Sequence, residues 1–175
     1  IMTESILLVG YMGCGKTKVG KKIAKKLGLD FYDLDSEIEN EFSMSISKIF
    51  NKNGELSFRK IERFKLEKIL LFKKPFVLSV GGGTPCYYNN MNLMNEKVKN
   101  TVFLDVNPKI LADRLFKRKS KRPLISEIQS LDDMQDYVSK HLFERYNFYK
   151  LARFTVKPNL SSSKKTAYEI IKILK

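Results

Sequence analysis

Residues Gly10-Tyr11-Met12-Gly13-Cys14-Gly15-Lys16-Thr17 spell G-x-x-x-x-G-K-T, and no other stretch constrains the fold as tightly. The octet needs a strand before it and a helix after it. Its glycines let backbone N–H groups turn inward around phosphate oxygens, and the helix N-terminus adds partial positive charge. Both neighbours are in place. Ile6 to Val9 is a continuous apolar run, which predicts a buried strand, and Val19, Ile23, Ala24 and Leu27 recur at helical spacing until Gly28 stops them. In that setting Lys16 is long enough to reach the β- and γ-phosphates of a nucleotide, and the Thr17 hydroxyl can ligate Mg²⁺. Cys14, at a helix N-terminus beside a lysine, reads either as a redox-sensitive thiol or as a small residue that fits. The second reading is preferred, since phosphate binding by such a loop needs no thiol.

Beyond the loop, short apolar runs alternate with longer segments of helical period, which predicts an α/β domain with a largely parallel sheet. Further strands are expected at Phe31 to Leu34, Phe76 to Val80, Val102 to Val106 and Phe154 to Val156. Helical segments fill about 37–71, broken by turn chemistry near Asn51 to Gly54. Leu111 and Leu115 mark another helix, one spans about 132–151, and the last runs through Ile170, Ile171 and Leu174. Ser161-Ser162-Ser163 is expected to open that last helix rather than to act as a linker. At 175 residues the chain reads as one domain, 1–175, without internal repeats.

Composition excludes several classes of function. Hydrophobic residues make up 43% of the chain and include 12 Phe, too many for wholesale disorder. No apolar run approaches the roughly 20 residues that span a bilayer. The first 20 residues are lysine- and glycine-rich rather than built like a secretory leader, so a cytoplasmic protein is expected. Cys14 and Cys86 lack metal-ligand spacing and are expected to be reduced. The net charge of +14, from 33 Lys and Arg against 19 acids, admits nucleic acid, a membrane surface or an anionic small substrate. Much of the excess is lysine spread along predicted helices, as on solvated faces, and no strand interleaves arginine with aromatic residues. A nucleotide substrate is the simpler explanation, and neither nucleic acid nor membrane is expected as a partner.

Three constellations point to a second substrate. Asp33 and Asp35 end a strand whose C-terminal edge should lie beside the phosphate loop, and alternation puts both on one face if the strand persists. One carboxylate can organise hydrated Mg²⁺ while the other accepts hydrogen bonds from an acceptor hydroxyl; taken alone, Asp35-Ser36 serves equally well as a helix cap. Gly81-Gly82-Gly83 follows the third strand, where ligands bind in open α/β sheets, and reads as close backbone approach or as an ordinary loop. Arg59 and Glu62 share a helical face, and Arg145 sits on a late helix. Two arginines can clamp a carboxylate with their planar forks.

Taken in order, G-x-x-G-x-G-K-T at 10–17, F-x-D-x-D at 31–35, F-R-x-x-E at 58–62, G-G-G at 81–83, R-P-L at 122–124 and R-x-x-x-Y at 145–149 resemble shikimate kinase over nearly the whole chain. The resemblance implies a three-layer P-loop kinase fold like that of nucleoside monophosphate kinases, with a five-stranded parallel sheet of order 2-3-1-4-5 flanked by helices. It also implies a mobile lid at about 116–128 and an acceptor-binding segment at about 31–62. The implied reaction carries the γ-phosphoryl group of ATP to the 3-hydroxyl of shikimate, in chorismate and aromatic amino-acid synthesis, and a monomeric enzyme of the cytoplasm using Mg²⁺ is expected. Residue by residue, it assigns ATP to Gly13, Cys14, Gly15, Lys16, Thr17, Lys18, Arg114 and Arg122, with Arg114 on the adenine. Shikimate falls to Asp35, Arg59, Gly81, Gly82, Gly83 and Arg145, and the metal to Thr17 and, through water, Asp33. Lys16, Asp35 and Arg122 would be catalytic. One departure stands out: where the family often has a basic residue after the last strand, this chain reads Asn159-Leu160-Ser161.

In that reading Asp35 positions the attacked hydroxyl, while Lys16, Mg²⁺ and Arg122 stabilise a loose transition state. Five of the six residues from Lys117 to Arg122 are basic, which suits a lid that orders on ATP phosphates and excludes water. Another small-molecule kinase of the same fold, such as a gluconate kinase or a nucleotide kinase, is the nearest alternative. Arg59, Arg145 and the triple glycine favour a cyclic hydroxy acid. A nucleotide-dependent regulatory protein is the alternative from another class, and a retained acceptor pocket counts against it.

Overall fold

The computed structural model describes residues 4–118 and 125–174. Five parallel strands form one sheet in the order β2-β3-β1-β4-β5. The three inner strands, β1 (Ile6–Val9), β3 (Phe76–Ser79) and β4 (Asn100–Leu104), are buried at every residue. That is why each carries a continuous apolar run, Ile6 to Val9, Phe76 to Leu78 and Val102 to Leu104, rather than an alternating pattern. The edge strands β2 (Asp30–Asp33) and β5 (Phe154–Val156) are only partly covered.

Helices flank the sheet. After β1 comes α1 (Lys16–Leu27), which ends where the Gly28 N–H donates to the Ala24 carbonyl, as the sequence predicts. Two helices, α2 (Leu34–Phe42) and α3 (Ile46–Leu70), connect β2 to β3. The expected break falls at Gly54, where φ 74 and ψ 168 interrupt α3. A short 3₁₀ turn (Thr84–Cys86) and α4 (Asn90–Lys97) lead to β4, and α5 (Pro108–Phe116) and α6 (Leu131–Tyr149) lead to β5. The chain closes with α7 (Ser163–Ile173), whose cap is the Ser162 hydroxyl accepting from the Lys165 N–H. Among the described residues no helix is long and apolar enough to cross a membrane.

Three sequence expectations need correction. Strand β2 stops at Asp33, and Leu34 already opens α2, so Asp33 and Asp35 do not share a strand face. The cap is Asp33, whose carboxylate accepts from the Ser36 N–H at 3.5 Å, and Asp35 stands one residue inside the first turn, where the helix dipole favours an acid. Strand β4 begins at Asn100 and ends at Leu104 rather than Val106, because Asn107 caps α5 and Pro108 opens it. Helix α4 was not foreseen: Asn90-Met91-Asn92-Leu93-Met94-Asn95 has poor helix propensity and shows only a narrow buried stripe through Met91 and Met94.

Helix α1 approaches the sheet closely at Gly20, where a Cβ would lie 2.5 Å from Phe31 Cε2 and 3.2 Å from Leu8 Cδ1. Gly20→Ala is therefore expected to destabilise the fold by about 1–3 kcal/mol through overpacking, read as a lower urea midpoint at unchanged m-value. An unchanged midpoint would show that Phe31 gives way without cost.

Candidate active site

The loop between β1 and α1 turns into the helix at Gly15, whose φ of 105° would strain any residue with a side chain. The first-turn N–H groups of α1 are thereby left facing the loop. Lys16 is buried, and its ammonium donates to the carbonyls of Gly10 at 2.7 Å and Tyr11 at 3.1 Å, with Cys14 Sγ at 3.7 Å. Cys14 itself is 2% exposed and packs in the core, which favours its reading as a small residue that fits. Next to it, the Thr17 hydroxyl donates to Asp33 Oδ2 at 2.8 Å, so strand end and helix start bring the two expected metal residues together.

A cleft of about 560 Å³ opens over this loop. Gly13 to Lys18 line it from below, Asp33, Asp35, Gly81 and Gly82 from one side, and Arg114 and Asn159 to Ser161 from the other. Arg114 reaches the loop by donating to the Gly13 carbonyl at 3.2 Å. Asn159 folds inward on its own turn, accepting from the Ser161 N–H at 3.1 Å and the Ser161 hydroxyl at 2.8 Å. A neutral Asx turn thus stands at the departure from the family pattern already seen in the sequence.

Behind Gly81 lies a second polar cluster. Asp35 Oδ1 would be 3.0 Å from a Cβ on Gly81, and Thr84 Oγ1 equally close. A Cβ on Gly83 would strike Arg59 Nη2 at 2.6 Å, and one on Gly82 would meet the Met12 N–H at 3.3 Å. The triple glycine is therefore a close approach, not an ordinary loop. Arg59 is buried on α3 and donates through Nη1 to Glu62 at 2.9 Å and through Nη2 to Glu55 at 3.3 Å, with the Tyr87 ring 4.1 Å from its guanidinium carbon. Its Nε is a buried donor without a hydrogen-bond partner. Glu62 accepts in turn from the Thr84 hydroxyl at 2.6 Å.

Arg145, on α6, donates to the His141 carbonyl at 3.2 Å. Its charge acts on the Glu55 carboxylate, the Cys86 thiol and the Tyr87 hydroxyl, the same three groups that feel Arg59, so the two arginines converge from distant helices. Burial dominates at Cys86 and pushes its thiol up to about 11. Asp35 is also raised, to about 6, first by burial and then by Asp33 and Glu62, against the opposing pull of Lys16.

The structure thus gathers the sequence-identified residues into two adjoining groups, one around Lys16 and one around Arg59, with Asp35 between them. Arg122, the rest of Arg122-Pro123-Leu124 and the middle of the expected lid fall in 119–124, outside the described residues. Sequence reasoning passed over Glu55, Thr84, Tyr87 and His141. Faint signals existed: Glu55 precedes Arg59 by one helical turn, His141 precedes Arg145 by one, and Thr84 directly follows the glycines.

A parallel sheet of order 2-3-1-4-5, a phosphate loop at its centre and an arginine-lined cluster beyond a glycine turn define a P-loop kinase acting on a small acceptor. The shikimate kinase family profile matches residues 12–175. A shikimate kinase from Flavobacterium psychrophilum is 38% identical over 98% of this chain and 99% of its own length. The crystal structure of shikimate kinase from Bacteroides thetaiotaomicron superimposes with a TM-score of 0.90 at 35% identity, covering 98% of each chain. Shikimate kinase from Acinetobacter baumannii, solved in complex with shikimate, gives 0.88 at 30% identity over 99% of this chain and 93% of that one. The chain belongs to the shikimate kinase family, and its activity is the ATP-dependent phosphorylation of shikimate.

The electrostatics of Asp35 have a consequence for stability. Its folded-state pKa lies above the unfolded one, so the folded protein binds that proton more tightly, and the group costs stability as pH rises from about 4 through 6. Asp35→Asn is expected to be more stable than wild type at pH 7, by about 2 kcal/mol after discounting partial exposure, with the gap closing toward pH 4. Urea unfolding at both pH values measures it, and a gap independent of pH would contradict the assignment.

Proposed function

We propose that the two groups divide the work, the P-loop side holding ATP and the arginine side holding the carboxylate of shikimate, with Asp35 on the attacked 3-hydroxyl. The observation that carries this reading is the position of Asp35, within the field of Lys16 and against Gly81, at the seam between the groups. The product is shikimate 3-phosphate, for chorismate and aromatic amino-acid synthesis, and the whole chain serves as one monomeric, cytoplasmic kinase domain.

The backbone N–H groups of Gly13 to Thr17 cradle the phosphates, Lys18 lies at the rim, and Lys16 exchanges a loop carbonyl for phosphate oxygen. Thr17 and Asp33, paired at 2.8 Å, fit a hydrated Mg²⁺, the hydroxyl as direct ligand and the carboxylate through water. The ion, when bound, neutralises charge on the β- and γ-phosphates. Arg114 stacks on the adenine, whose far edge meets the neutral Asn159 turn. Arg122 contributes a further phosphate contact.

On the other side Arg59 and Arg145 clamp the carboxylate, supported by the unpartnered Nε donor of Arg59 and its long Nη2 contact to Glu55. Gly81, Gly82 and Gly83 let the ring approach backbone. Asp35 accepts a hydrogen bond from the hydroxyl, orienting it in line with the phosphorus. With a pKa of about 6 it is a carboxylate at neutral pH yet basic enough to take the proton as the new bond forms.

In a coupled assay with ATP and shikimate, gluconate, AMP or water as acceptor, wild-type turnover is expected with shikimate alone, and folded Lys16→Ala is expected to lose it. A Lys16→Ala protein retaining most of its turnover would remove the loop from phosphate binding. Arg59→Lys and Arg145→Lys are expected to raise the acceptor KM at least about tenfold while moving the ATP KM little, because lysine lacks the bidentate fork. Equal effects on both substrates would indicate damage outside the carboxylate clamp.

A further inference from the structure

Three successive turns of α6 address three different parts of the site. His141 Nδ1 is hydrogen-bonded to the Tyr11 hydroxyl at 2.7 Å, and Tyr11 is a residue of the phosphate loop itself. One turn on, Arg145 Nη1 donates to the His141 carbonyl. A further turn on, the buried Tyr149 hydroxyl donates to the Gly82 carbonyl at 2.6 Å. The spacing of four residues puts all three on one helical face. Tyr11 also holds Lys16 through its carbonyl at 3.1 Å, so an unbroken path runs Lys16–Tyr11–His141–Arg145, from the phosphate lysine to the acceptor arginine.

We propose that Tyr11 and His141 are a positioning pair for phosphoryl transfer: their hydrogen bond registers α6 against the P-loop and so sets the span between the acceptor carboxylate and the γ-phosphate. This rests on the roles given above to Lys16 and Arg145. Neither residue is among those lining the cleft; each acts through another. The geometry is over-determined, as a register pin requires. The His141 ring meets Tyr11 edge-on, with centroids 5.5 Å apart and planes at 85°, and the Tyr137 ring, also on α6, lies 5.1 Å from the His141 ring, centroid to centroid. Tyr11 is 2% exposed, so its ring fills core volume that phenylalanine would fill equally well. What phenylalanine lacks is the hydroxyl, which isolates the pin from the packing.

In-line transfer is sensitive to such a span, because a misplacement of about 1 Å can cost about a hundredfold in rate without weakening either substrate's binding. Loss of one pinning hydrogen bond is a milder fault. Tyr11→Phe and His141→Ala are each expected to lower kcat about tenfold, with both KM values within about twofold of wild type. The double variant is expected to be no worse than either single one, since both remove the same bond. His141→Asn, whose side-chain amide reaches the place of Nδ1, is expected to recover most of the lost kcat.

Steady-state kinetics on the four variants, with thermal midpoints beside them, test this. Wild-type kcat in both single variants, multiplicative losses in the double variant, or equal losses in His141→Ala and His141→Asn would overturn the pair. If Tyr11→Phe fails to fold, the comparison of His141→Ala with His141→Asn decides alone. The outcome separates from the reading beneath it. Lys16→Ala inactive and Arg145→Lys impaired only for the acceptor, alongside wild-type behaviour of Tyr11 and His141 variants, would sink the positioning pair and leave the site assignment standing.

Discussion

A buried ammonium organises this molecule. Lys16 is 8% exposed, and taking its charge out of water is tolerable only because the loop bends two carbonyls onto it, from Gly10 and Tyr11. That bend is what the glycines permit, and it needs a rigid strand on one side and a helix start on the other. The central position of β1, hydrogen-bonded to β3 and β4, supplies the rigidity. Everything else in the site is placed relative to that lysine.

The acids around it are compensated one by one. Asp33 receives the Thr17 hydroxyl and caps α2, and Glu62 is neutralised by Arg59 and receives Thr84. Asp35 has only the distant help of Lys16 against burial and three like charges, Asp33, Glu62 and Glu39, and so it is pushed toward neutrality. A carboxylate poised in this way, beside two that are paired with a hydroxyl or a guanidinium, is what the proposed division between a metal-side acid and a proton acceptor draws on. The +14 net charge plays no part in this; Lys18, Lys21, Lys22, Lys25 and Lys26 of α1 are all exposed, as solvated helix lysines are.

The phosphate loop was legible because its function lies in backbone conformation, which eight contiguous residues specify by themselves. Strands β1 and β5 were legible to the residue because apolar runs there end abruptly in turn or charged residues. The boundary at Asp33 was not, since one side chain ends a strand and caps a helix at once, and local pattern supports both readings. Arg59 and Glu62 could be paired from helical spacing, whereas Thr84 joins them only across 22 residues of chain. Tyr11 and His141 stand 130 residues apart, and nothing local marks either as the other's partner. Contacts of that separation belong to tertiary structure alone.

The two acceptor arginines are held very differently, and the difference bears on how an anion is received. Arg59 is fixed on three sides, by Glu62, by Glu55 and by the face of Tyr87, in a buried setting where its rotamer has little freedom. Burial opposes its charge, and Glu62, Tyr87 and Glu55 together more than offset that, so the guanidinium is a permanent cation held in place. Arg145 is tied mainly to a carbonyl of its own helix and is partly exposed. A pre-ordered fork costs no side-chain entropy on binding, while a freer one can close on whatever the first has oriented. In the proposed site Arg59 therefore defines where the carboxylate sits and Arg145 completes its enclosure. On the same proposal the position of α6, fixed to the loop through Tyr11 and His141, governs how far that enclosure lies from the phosphate loop.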